Sequence, residues 1–202
     1  MGRLAVIAAL VTFVVLSGGL PVTAQRGVRV VTDAECAAPL GAGLKTKRAF
    51  CDVLIATTPG NSVSIAIPSH TGSPTLRFDL HNRFTVPAIV VPGALTFARH
   101  EAIVSVVRPT GSVISKAAVV REFRAIADLF DQIAGGANPG GVKAVAPGQG
   151  EPVRITIPTG LASVGIVGTR LAVLMRTSEE VFDTPGRPVA IVSNVRLEYR
   201  PR

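Results

Sequence analysis

The chain has 202 residues, with 21 Lys and Arg against 13 Asp and Glu, a formal net charge of +8. Hydrophobic residues make up 48%, but 20 Gly and 15 Pro are spread among them, a composition that interrupts helices and punctuates strands and so argues against a helical bundle. With no Trp, one Tyr and 8 Phe, the chain is poor in the stacking platforms on which single-stranded nucleic acid and many glycans are read, and nucleic acid is not the expected partner.

The N-terminus reads as a secretory signal over residues 1–24. Arg3 supplies the positive start, Leu4 to Leu16 form the apolar run, and Val22-Thr23-Ala24 is a small-residue cleavage site before Gln25. The run is shorter than the roughly 20 apolar residues a membrane span needs, so no transmembrane helix is expected in the processed chain. Residues 25–202 are then enough for one core, and a secreted or periplasmic location is expected. Cys36 and Cys51 are the only cysteines. In an exported chain they most simply pair, closing a loop of about 15 residues and stabilising the fold by roughly 3 kcal/mol. A zinc site at these cysteines lacks His at finger-like spacing.

Alternation with a period of two then recurs down the chain. Phe50 to Thr57 is a candidate strand; Thr58-Pro59-Gly60-Asn61 has the centre of a type II turn; and Val63, Ile65 and Ile67 form a second strand, giving an expected hairpin. From Leu76 onward, Leu76, Phe78, Leu80, Phe84 and Val86 share one parity and are expected to be buried. Arg77, Asp79, His81 and Arg83 take the other and are expected to face solvent. Strands are expected at 88–91, 95–98 and 101–108, then a Pro109-Thr110-Gly111 turn into a strand over 112–120.

One segment departs from this period. Phe123, Ile126, Ala127, Phe130, Ile133 and Ala134 recur at three and four residues, with Gly135 as a C′ residue, which predicts one short helix near 122–134. A helix starting as early as Ser115 fits the same period, so 115–121 is open between strand and helix. Residues 135–150 form a Gly/Pro-rich loop. Strands follow at 153–157, 164–176 and 189–199, the last placing Val189, Ile191, Val195, Leu197 and Tyr199 on one side. The expected fold is mostly β, a single disulfide-stapled domain built as an antiparallel β-sandwich or jelly-roll-like fold.

Motifs that carry chemistry are few. The stretch Gly160-Leu161-Ala162-Ser163-Val164-Gly165 has the wrong spacing for a nucleophile elbow, and Gly148-Gln149-Gly150 does not match a phosphate loop. A triad assembled from distant residues would draw its base from His70, His81 or His100. Asp79 and His81, at i and i+2 on a strand, share a face about 6 to 7 Å apart and form a candidate metal pair that His100 and Glu101 could complete. Lys45, Lys47 and Arg48 are a basic cluster inside the proposed disulfide loop and a candidate patch for an anionic partner. No catalytic residue and no cofactor are assigned. The expected function is an exported, non-catalytic binding or interaction module of the cell envelope or extracellular space, its partner an anionic envelope surface or another protein. A secreted hydrolase or metal-dependent enzyme using the Asp79/His81 face is one alternative, and a structural subunit of an envelope assembly is another.

Overall fold

The structure is a computed structural model and describes residues 27–85, 98–123, 126–135, 138–142 and 145–202. In chain order the strands are β1 (Arg29–Val31), β2 (Ala34–Cys36), β3 (Pro39–Gly43), β4 (Ala49–Leu54) and β5 (Val63–Ala66). Then come β6 (His70–Thr85), β7 (Ala98–Val107), β8 (Val113–Phe123), β9 (Ile133–Gly135) and β10 (Asn138–Val142). The last are β11 (Val145–Pro147), β12 (Glu151–Thr156), β13 (Ser163–Met175), β14 (Glu179–Phe182) and β15 (Pro188–Pro201). The expected signal segment 1–24, the strand at 88–91, residues 95–97 and the side chains of Phe84 and Val86 lie outside the described residues.

Two antiparallel sheets pack face to face, as the alternating pattern requires. The nine-stranded sheet runs β10-β9-β3-β4-β15-β6-β11, with β1 also on β15 and β12 also on β6. The six-stranded sheet runs β2-β5-β13-β7-β8, with β14 also on β13. Between them lies the core. Val53, Leu76, Phe78, Leu80, Val192 and Leu197 of the larger sheet meet Val63, Ile65, Val104, Val106, Val164 and Ile166 of the smaller. The disulfide forms as expected, with Cys36 and Cys51 Cα atoms 5.9 Å apart. It ties β2 of one sheet to β4 of the other.

Four expectations are corrected. The hairpin across 58–61 does not form: Pro59–Asn61 is a single 3₁₀ turn, and the strands on either side enter different sheets, β4 pairing with β3 and β15 and β5 with β2 and β13. A Pro-Gly turn reverses the chain whether or not its arms pair. The helix near 122–134 is absent: Glu122 and Phe123 end β8, Ile126–Asp128 is one 3₁₀ turn, and Ile133 opens β9. Residues 115–121 are accordingly strand. The expected loop 135–150 carries β10 and β11, the second paired with the end of β6. In β15, Asn194 adopts φ 56°, a left-handed conformation that Asn tolerates, and the register slips between Ser193 and Arg196. This bulge reverses the alternation. Ile191 therefore lies on the outer face with Phe50 and Ile133, while Val195, Leu197 and Tyr199 belong to the core between the sheets.

Candidate binding face

The outer face of the larger sheet gathers most of the residues singled out above. Laterally paired residues share a face, and the register sets Ser193 beside both Phe50 and Asp79, then Ile191 beside both Asp52 and His81. Over them lies a small apolar cluster in which Phe50, Ile133 and Ile191 pack with Leu40 and Phe130.

His81 is fully buried, at 0% exposure, which corrects its expected solvent-facing position; Arg77, Asp79 and Arg83 are half-buried. The ring Nδ1 lies 2.8 Å from the Gly148 carbonyl and Nε2 3.0 Å from Ser193 Oγ. A carbonyl only accepts, so Nδ1 carries the hydrogen and Nε2 accepts from the Ser193 hydroxyl. Phe50 meets the ring edge-on and Phe130 tilts against it, both with centroids 5.5 Å away. A Cβ on Gly150 would stand 2.6 Å from His81 Cε1, so glycine is what lets the chain pass this close. Burial is the largest influence on the imidazole and holds its pKa below the ordinary value, outweighing the Gly148 carbonyl and Asp79, which favour the charged form. A hydroxyl donated to an imidazole whose other nitrogen is fixed is the geometry that activates a nucleophile. Here Ser193 is only 1% exposed, and the pair fastens the sheet to the segment above it.

Asp79 joins the two groups of residues that the sequence presents separately. Its Oδ2 accepts from Arg48 Nη1 at 2.7 Å and from Asn194 Nδ2 at 3.5 Å, while the Arg48 guanidinium sits 5.7 Å over the Phe130 ring. The pair is partly solvated, and exposed ion pairs contribute at most about 1 kcal/mol. Arg83 pairs with Asp52. Burial nevertheless raises the Asp52 pKa, since desolvation exceeds the attraction of Arg83.

The basic turn is held from beneath by Asp131. Its Oδ1 accepts from the Lys45 amide at 2.9 Å and the Gln132 amide at 2.8 Å; its Oδ2 accepts from the Thr46 amide at 3.0 Å and the Thr46 hydroxyl at 2.6 Å. Desolvation raises the Asp131 pKa and is the largest single influence. The hydrogen bonds from Thr46, Lys45 and Gln132 together outweigh it, and the carboxyl lies below its ordinary value. Lys47 adopts φ 59° and donates its amide to the Gly43 carbonyl at 2.9 Å. The clamped turn leaves Lys45 and Lys47 exposed, next to Leu44 at 43% exposure.

The remaining candidates lie elsewhere. His100 and Glu101 are on β7 of the smaller sheet and do not join Asp79 and His81. His70 bonds the Pro68 carbonyl and receives the Gly160 amide. Among the described residues no group of three or more His, Cys, Asp or Glu is placed to hold a metal ion. Sequence reasoning missed Asp131, Ser193, Asn194 and Phe130. No local spacing marks them: Asp131 reaches Lys45 and Thr46 across 86 and 85 residues of chain. Comparison of the chain with known protein families, with curated proteins and with solved structures finds no match in any of the three.

Proposed function

We propose that this chain is an exported binding module that docks on an anionic envelope surface through the turn from Leu44 to Arg48. The observation that carries the reading is the Asp131 clamp, which fixes the Lys45 and Thr46 backbone by hydrogen bonds. A basic turn ordered in advance gives up little conformational entropy when it meets its partner. Exposed Lys45 and Lys47 supply the charge, and Leu44 adds apolar area that suits a phospholipid headgroup layer. Arg48 has a different role, since it is drawn back onto Asp79. The disulfide fits an oxidising compartment, and no helix among the described residues is long and apolar enough to cross a membrane.

Co-sedimentation with phosphatidylglycerol vesicles tests this. Lys45→Ala with Lys47→Ala is expected to weaken binding by about 2 kcal/mol, roughly thirtyfold, at about 1 kcal/mol per cation near an anionic surface. Added salt should weaken the wild type as well. Equal binding to phosphatidylcholine vesicles, or to a soluble acidic polysaccharide in preference to vesicles, would overturn the choice of surface. N-terminal sequencing of the secreted protein should begin at Gln25.

A further inference from the structure

A second site lies at the end of the sandwich where β6 and β13 finish and β7 and β15 begin. There the sheets part around a cleft of about 490 Å³, within the range of small-molecule sites. One wall is apolar, made by Leu171, Val173 and Met175 of β13, Phe182 of β14 and Pro188 of β15. The polar lining differs in its engagement. Arg83 is already held by Asp52, and His100 lies buried in the wall. Arg187 is exposed, with its guanidinium 5.5 Å over the Phe182 ring. Among the described residues it forms no ion pair.

We propose that this cleft binds a small amphiphilic carboxylate, with its acid group on the Arg187 guanidinium and its hydrocarbon along Val173, Met175 and Phe182. The guanidinium lies 5.5 Å from the Phe182 ring centroid and has no carboxylate partner among the described residues, so its N–H fork is available. That fork matches the two oxygens of a carboxylate. Glu180 also lines the cleft and repels a second negative charge, so a singly charged head is favoured over a phosphate dianion. Apolar area on the wall then supplies about 25 cal/mol for each Å² it covers. The site uses none of the residues of the basic turn.

Decanoate titrated into the full chain, followed by amide NMR and calorimetry, tests the proposal. Saturable binding with shifts centred on Val173, Met175 and Phe182 is expected. Arg187→Gln should weaken it at least tenfold while leaving the urea midpoint unchanged, because the side chain is exposed. Met175→Glu, which puts a carboxylate on the half-buried wall, should abolish it. Decanol should bind more weakly than decanoate, and equally to the wild type and to Arg187→Gln. The proposal is overturned by the absence of saturable decanoate binding, by shifts that map elsewhere, by an Arg187→Gln variant that binds decanoate as the wild type does, or by decanol binding as tightly as decanoate. The Lys45→Ala, Lys47→Ala variant should bind decanoate normally, which separates this site from surface docking.

Discussion

Removing the His81 ring would leave the Gly148 carbonyl without its donor, Ser193 without its acceptor, and Phe50 and Phe130 facing a void. His81→Ala is therefore expected to lower stability by about 2–4 kcal/mol in urea melts, close to the roughly 3–5 kcal/mol expected for Phe78→Ala in the main core. A loss below about 0.5 kcal/mol would mean that the ring lies at a tolerant surface site. Acid should act on the same residue. His81 and His100 are both held below their ordinary pKa, in each case chiefly by burial. Between the lowered folded value and the unfolded value near about 6.5, the unfolded chain binds more protons. Stability is full above that unfolded value and declines as pH falls through it. Urea midpoints measured from pH 8 down to pH 5 should show the decline, and His81→Gln with His100→Gln should flatten it. The sequence makes Leu76, Phe78 and Leu80 readable as core because they alternate. It misplaces His81 because alternation assigns a residue to a face without saying what covers that face, and the cover comes from residues far along the chain.

The clamped turn makes a prediction that charge alone would reverse. Asp131→Ala removes a carboxylate and raises the net positive charge, so simple attraction to an anionic vesicle should increase. If preorganisation governs, binding should instead weaken several-fold while the Lys45 and Thr46 amides exchange hydrogen faster, since both lose their acceptor. Tighter binding with unchanged exchange would show that the clamp is irrelevant to docking. Among the elements, β6, β7, β12, β13 and β15 are legible in the sequence as runs between Gly and Pro turns, whereas β8 is legible only in its first residues, since 115–121 fits a helical period as well and 122–123 fall within the expected helix. The short strands β9, β10 and β11 are not legible, for β9 is placed by β3, β10 by β9 and β11 by β6 rather than by their own pattern. The helical spacing from Phe123 to Ala134 yields to tertiary demand: Phe130 and Ile133 fill the outer apolar cluster, and Asp131 between them grips the basic turn. The bulge at Asn194 is likewise invisible to a period of two, although Asn is a residue type that permits it.

At the scale of the whole molecule, the two-sheet architecture is legible from repeated amphipathic strands, whereas the assignment of β4 and β5 to different sheets is not. That division is what sets the disulfide between the layers. Replacing Cys36 and Cys51 by Ser is expected to cost about 2–4 kcal/mol, read from calorimetric or urea unfolding of the two forms. A loss near zero would mean that packing between the sheets already holds this end. The bond has a further consequence, because Cys36 and Cys51 enclose the Leu44 to Arg48 turn. Residues 36–51 form a covalent ring, and the two exposed lysines of the turn, Lys45 and Lys47, lie on its circumference. Tryptic hydrolysis after Lys45 or Lys47 would open that ring without parting the polypeptide: the nicked protein would migrate as one intact band, and the two fragments would separate only on addition of a thiol.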